Sequence, residues 1–273
     1  MTQSVGHMAI YDAPTAALLD SQHRDPLLRH LTRTIVALAR RHAPLPDAPA
    51  AVAAGRDAAA VDIGCGVGRT SLALARAGYA VHGVDPSDRA VALASATAAA
   101  EGLEGRAAFR VGDATAAPPA EWVGRFGLAV CSEVIEHVEA PERVVEYARQ
   151  VLRPGGVLIL TTPHDRRLWT AMDDYAGHVT RFTADELRRL LWDFDVVEIG
   201  TEGFPFQRLV MRGYDRWLRR SGRAHTFGAI GDSLPYRAYA RVMPWLLRVD
   251  RVFRRLERGM TLVVVARRRV IRA

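Results

Sequence analysis

The sequence predicts an α/β fold, a doubly wound and mostly parallel sheet of seven strands with helices on both faces. Two observations carry most of that expectation. Short apolar runs alternate with amphipathic helical segments from residue 58 to residue 200, and repeated strand–helix units build a parallel sheet covered on both sides. A glycine cluster also stands between the first strand and the first helix of the series, the place where open α/β sheets bind their ligands.

Taken in order, apolar residues recur at helical spacing from Ala16 to Ala43, among them Leu18, Leu27, Leu31, Ile35 and Leu38. This segment, with Tyr11 ahead of it, reads as an N-terminal helical lid, and a Pro- and Ala-rich linker follows to Ala54. Ala58–Ile63 is the first strand, and Thr70–Ala77 a helix ended by Gly78. Strand Ala80–Val84, helix Ser87–Ala100, strand Ala107–Val111 and strand Leu128–Cys131 come next. Helix Pro141–Leu152 and strand Gly156–Thr162 close the regular part. Residues 163–182 read as a polar loop, after which Thr183 caps a helix running to Asp193. Val196–Gly200 and Leu262–Ala266 supply the last two strands. The division is therefore 1–54 for lid and linker, 55–202 for the core, 203–259 for a helical insertion, and 260–273 for the final strand and a basic tail.

Composition excludes several classes. The 273 residues are 49% hydrophobic and 25% charged, as in ordinary globular proteins. No apolar run approaches the roughly 20 residues of a membrane span. The start lacks a charged segment followed by an apolar core, which argues against secretion. Cys65 and Cys131 are the two cysteines, too few for a disulfide framework and wrongly spaced for zinc. A cytoplasmic setting without a bound metal is the expectation.

The sharpest local signal is Asp62-Ile63-Gly64-Cys65-Gly66-Val67-Gly68. Glycine lets the backbone turn tightly and approach a ligand without a Cβ in the way. A nicotinamide-binding turn has G-x-G-x-x-G and receives a pyrophosphate. The spacing here is G-x-G-x-G with an acid two residues ahead, which suits a cationic ligand without phosphates. Gly83-Val84-Asp85 then puts a carboxylate 23 residues after Asp62, where it can accept from both hydroxyls of a ribose. Gly112-Asp113-Ala114 puts a third acid at a third strand end, within reach of an adenine amino group.

With these residues the chain resembles the class I S-adenosylmethionine-dependent methyltransferases, over roughly residues 55–202 and the last strand. Asp62 to Gly68 matches their first motif, Asp85 the ribose-binding acid, and Asp113 with Ala114 the adenine side. Cys131-Ser132-Glu133-Val134-Ile135-Glu136-His137 matches the fourth-strand motif, and Leu152-Arg153-Pro154-Gly155-Gly156 the turn before the fifth strand. Glu133 to Val138 is similar to the ubiquinone-type O-methyltransferases. The resemblance implies a Rossmann-like fold, S-adenosyl-L-methionine as cofactor, and a small-molecule or lipid-like acceptor. It also implies that Asp62, Gly64, Gly66, Gly68, Asp85, Asp113, Ala114 and Glu133 contact the cofactor.

Methyl transfer is an in-line displacement with reacting atoms about 3–3.5 Å apart, and a hydroxyl acceptor also needs a base. His137, just past the fourth strand, is the first candidate for that base. His178, in the loop after the fifth strand, is the second, with Tyr175 and His164 as polar neighbours; each histidine could instead be structural. Glu136 reads as a loop-ordering residue, and both cysteines as small buried ones.

Charge is segregated along the chain. Residues 1–202 hold 20 Arg against 26 acids, whereas residues 203–273 hold 17 Arg against 4, and lysine is absent. In the insertion Val210, Tyr214, Trp217 and Leu218 share one helix face; Tyr239, Val242, Met243, Leu246, Phe253 and Leu256 form a second stripe, with Pro244 expected to kink or split it. Three readings stay open for this basic cap: plain packing on the sheet edge, contact with an anionic membrane, and an acceptor carrying phosphate. Nucleic acid is not expected, because no RNA-binding module is recognisable. O-methylation leads; C-methylation of an anionic prenyl substrate, a cofactor-binding regulator without activity, and a nicotinamide dehydrogenase are the alternatives. Oligomeric state is not legible.

Overall fold

The structure is a computed structural model, and it describes residues 25–45, 58–221 and 234–270. Tyr11 and the first part of the expected lid helix lie outside the described residues.

Seven strands form one sheet in the order β3-β2-β1-β4-β5-β7-β6. They are β1 (Ala59–Ile63), β2 (Ala80–Asp85), β3 (Ala107–Val111), β4 (Phe126–Ser132), β5 (Leu152–Pro163), β6 (Phe194–Glu202) and β7 (Thr261–Arg268). The first five pair in parallel, and β7 runs antiparallel between β5 and β6. Strand order reverses between β1 and β4, which opens a crevice at their carboxyl ends. Helices α1 (Pro26–His42), α2 (Arg69–Arg76), α3 (Asp88–Ala100), α4 (Pro141–Val151) and α6 (Ala184–Leu190) join or flank the strands; α5 (Ala171–Ala176) lies in the connection after β5.

Alternation along the central strands explains why both faces need cover. Ala59, Val61 and Ile63 of β1 pack into one core with Phe126, Tyr147 and Phe194, whereas Ala60 enters a second core with Leu31, Ile35 and Leu72. The five residues of β1 are all buried, so this strand reads as a continuous apolar run broken by one acid, Asp62. On the second face α1 presents Leu31, Ile35, Leu38 and Ala39 to the sheet, and Asp25 caps it by accepting from the Leu27 and Leu28 amides.

Residues expected to form a loop after β5 are partly ordered otherwise. A 3-10 turn spans Arg166–Leu168, and α5 follows a capping box in which Asp173 accepts from the Thr170 amide. Six residues are too short for a helical period to show. The strand expected from Gly156 begins at Leu152, with Gly155 in the left-handed region at φ 76°.

The basic insertion contains α7 (Phe206–Ser221) and α8 (Leu234–Asp250). Asp250 accepts from the Phe206 and Gln207 amides and so caps α7, and Asp215 of α7 accepts from the Ala171 amide at the start of α5. Helix α8 runs through Pro244 without splitting. Its buried side carries Met243, Leu247 and Asp250, whereas Val242 and Leu256 of the expected stripe are about half exposed, at 52% each. Among the described residues no helix is long and apolar enough to cross a membrane.

Candidate active site

The glycine turn leaves β1 and wraps the end of β2. The Gly64 and Cys65 amides both donate to the Val84 carbonyl, at 2.8 and 3.0 Å. Gly64, Gly66 and Gly68 all have positive φ, of 70°, 52° and 83°, a region that side chains strain. At Gly64 the need is doubled, since a Cβ would stand 2.4 Å from Val134 Cγ2.

Asp85 organises this turn. Its carboxylate accepts from the Gly66 amide at 2.8 Å and from the Ser87 amide at 2.9 Å, with the side chain 2% exposed. Burial raises its pKa and these two amides oppose the rise. Asp113 is exposed at the rim, where one oxygen accepts from the Thr115 amide and hydroxyl. Gly64, Asp85, Asp113, Ala114, Glu133 and His137 line one chamber, which spans about 550 Å³ with solvent at its mouth included.

Asp62 is not among the lining residues. It is 1% exposed and accepts from Ser71 Oγ at 2.5 Å. Burial pushes its carboxyl up to about 6, against the pull of Ser71 and Arg69. Because the folded-state value is raised, the stability this group supplies is present below about pH 4 and lost as pH rises through about 6. Asp62→Asn keeps an acceptor for Ser71 and removes the titration. The stability of Asp62→Asn relative to the parent should therefore grow by about 2 kcal/mol between pH 4 and pH 7.5. Urea unfolding at a series of pH values checks this, and parallel curves for the two proteins would refute it.

Arg69, which sequence reasoning passed over, ties the turn to α1. Its Nη1 donates to the Leu28 carbonyl at 2.9 Å and to Thr32 Oγ1, and it faces Glu133, Asp62 and Asp25. Its partners lie 37 and 41 residues upstream, so the first turn of α2 gave no local hint of them.

A second chamber, about 750 Å³ on the same measure, is lined by Leu27, Leu28 and Leu31 of α1, by Met172, Met211 and Met260, and by Glu133, His178 and Arg181. Glu133 lines both chambers. It holds φ 58°, uncommon for a residue with a side chain. Its amide donates to the Thr161 carbonyl, and Thr161 Oγ1 donates to its Oε1 at 3.0 Å. His137, in a 3-10 turn over Ile135–His137, lines the first chamber and His178 the second. Their rings meet edge-on with centroids 4.7 Å apart. Burial and the neighbouring His178 lower His137 to about 4.

His178 is backed by a buried carboxylate. Asp173 Oδ1 lies 2.8 Å from His178 Nδ1, and Asp173 also accepts from Arg181 Nε and Nη2, each at 2.7 Å. These partners hold the Asp173 carboxyl well below the usual carboxylate range in spite of its burial. Glu136 is fully buried; its carbonyl accepts from the Val179 amide and its Oε2 from Thr162 Oγ1 at 3.0 Å. His164 instead bonds Gly259 and does not line the second chamber. Cys65 and Cys131 are buried, and burial pushes both thiols far up.

A family model described as a methyltransferase domain matches residues 29–198, which is 170 of the 273 residues. The chain belongs to that family, the class I S-adenosylmethionine-dependent methyltransferases. It is similar to the ubiquinone biosynthesis O-methyltransferase of Caulobacter vibrioides, 36% identical over 102 residues, which is 37% of this chain and 39% of that protein. The match thus spans about two fifths of that relative's length. It is also similar to a probable chloroplastic tocopherol O-methyltransferase of Oryza sativa subsp. japonica, 26% identical over 267 residues, 86% of this chain and 68% of that one. In fold it resembles geranyl diphosphate C-methyltransferase from Streptomyces coelicolor A3(2), with a TM-score of 0.58 at 16% identity over 89% of this chain and 81% of that one.

Proposed function

We propose that this chain transfers the methyl group of S-adenosylmethionine to a hydroxyl oxygen of a small, hydrophobic acceptor. The observation that carries the reading is the pair of chambers that share Glu133 and meet at the His137–His178 ring pair. The cofactor takes the chamber of Gly64, Asp85, Asp113 and Ala114, with Asp85 on its ribose and Glu133 near its methionine end. Asp62, Gly66 and Gly68 support that chamber by shaping the turn. The acceptor takes the chamber lined by leucines and methionines.

In this reading the hydroxyl oxygen attacks the methyl carbon in line, the carbon–sulfur bond breaks with its electron pair on sulfur, and the hydroxyl proton leaves the acceptor. His178 receives that proton; what supports this is its place in the lining of the second chamber and the contact of its Nδ1 with Asp173 at 2.8 Å, which leaves Nε2 as the acceptor. His137, lowered to about 4, is uncharged near neutrality and adds no repulsion to a sulfonium. An acceptor with a phosphate is disfavoured by the charges present. Arg181 of the second chamber is committed to Asp173, and the His30 ring there meets Glu202 at 3.2 Å.

The test combines calorimetric titration of S-adenosylmethionine and S-adenosylhomocysteine with transfer of labelled methyl to a panel of hydrophobic phenols, amines and prenyl diphosphates. Both cofactor forms should bind, label should reach phenolic oxygen, and His178→Ala should lower kcat by about 100-fold with homocysteine-product binding unchanged. Label on nitrogen or carbon acceptors alone would refute the assignment to oxygen.

A further inference from the structure

The geometry points to a divalent metal site of zinc-like chemistry formed by Glu136, His137 and His178, at the wall between the two chambers. Its use in methyl transfer rests on the reading above; its existence does not. Sequence reasoning expected no metal, because the third ligand lies 41 residues beyond the second and no local spacing joins them. In the folded chain one ligand atom from each residue comes within 4.8 Å of the others. A zinc-class ion binds His nitrogen and carboxylate oxygen at about 2.0–2.2 Å.

Two of the three residues carry a buried polar atom without a partner among the described residues. Glu136 Oε1 and His137 Nδ1 are buried and have no hydrogen-bond partner, and Glu136 is 0% exposed. Buried polar atoms in folded proteins nearly always have a partner, and the exceptions ask for an explanation such as an ion.

The outer layer is already built. Asp173 lies 2.8 Å from His178 Nδ1 and so directs Nε2 to the cluster, while Thr162 Oγ1 donates to Glu136 Oε2 and leaves Oε1 for the ion. A carboxylate behind a ligating histidine fixes its tautomer and orientation. Two nitrogens and one carboxylate favour zinc, cobalt or manganese over magnesium or calcium, which prefer all-oxygen shells. Three protein ligands leave at least one position open toward the chambers, the arrangement of catalytic rather than structural sites.

With the ion bound, the imidazoles serve as ligands and the ion takes the place of the base. The acceptor hydroxyl binds at the open position and its proton passes to solvent, because a zinc-class ion brings bound oxygen acids to ionise near neutrality. The oxyanion then takes the methyl carbon and the sulfur keeps the electron pair, which yields an ether, a thioether and one released proton.

The experiment titrates the full-length, chelator-stripped protein with Co²⁺ alone, followed by its visible absorption and by equilibrium dialysis with metal analysis. About one ion per chain is expected, with absorption bands of a low-coordinate site that Zn²⁺ displaces. Glu136→Gln, which preserves the shape of the buried side chain, and His178→Ala, which acts from a partly exposed position, should each weaken Co²⁺ by at least 10-fold. Absence of bound Co²⁺, or binding indifferent to both substitutions, overturns the site. Bound Co²⁺ in a protein that methylates no hydroxyl acceptor supports the site and counts against the functional reading alone.

Discussion

Asp85→Ala is expected to abolish detectable binding of S-adenosylmethionine, and the loss should exceed that of any other single change at the cofactor end. The carboxylate does two things at once. It holds the Gly66 and Ser87 amides, at 2.8 and 2.9 Å, and so sets the curvature of the glycine turn against the end of β2. In the proposed complex its remaining lone pairs accept from the ribose hydroxyls. Hydrogen bonds to a charged group contribute about 1.5–3 kcal/mol each. Losing two ribose contacts therefore weakens binding by about 3 kcal/mol or more, roughly 100-fold or beyond. Asp85→Asn separates the parts. An asparagine oxygen can keep one amide, but its NH₂ faces the other amide and a ribose hydroxyl, so a smaller loss of about 10-fold is expected. Calorimetry on both variants, with thermal unfolding to confirm the fold, is the check. Parent-like affinity in Asp85→Ala would mean that the ribose is held elsewhere, and the cofactor assignment of this chamber would fail with it.

The sheet was legible because its signals are local. Strands β1 and β2 have buried runs that end at Gly64 and Asp85, and the glycine turn needs positive φ at the three positions where glycine stands. Much of the acceptor side was not legible, for a physical reason: its contacts join distant parts of the chain. Arg69 finds its partners in α1, Asp250 caps a helix 43 and 44 residues earlier, and Glu136 receives Thr162 from the next strand. The six-residue helix α5 is stabilised by a capping box and by Asp215 rather than by an apolar period. In α8 periodicity gave a helix and placed Met243 on its buried side, but Leu247, outside the expected stripe, is buried and Val242, inside it, is not. Patterning fixes that a face is apolar; neighbours on α1 and α7 decide which edge of it is covered.

Asp173 shows how far such a non-local group can matter. It is fully buried, and its two oxygens serve Arg181 through two bonds at 2.7 Å, His178 at 2.8 Å, and the Thr170 amide and hydroxyl at 2.7 and 2.8 Å. Removing it leaves Arg181, 5% exposed, as a buried cation without its counter-charge, the situation in which broken buried pairs cost about 3–5 kcal/mol. Asp173→Ala should therefore lose about 3–5 kcal/mol of folding stability in denaturant unfolding, more than any substitution confined to His178. Because desolvation of both ions is then avoided, Asp173→Leu combined with Arg181→Met should recover much of that stability. It should not recover function: His178 stays without the acceptor that orients Nε2, so methyl transfer and Co²⁺ binding in the double variant should remain at least 10-fold below the parent. Recovery of both stability and transfer together would show that the Asp173–His178 contact is packing alone, and that the ring pair acts without an oriented tautomer.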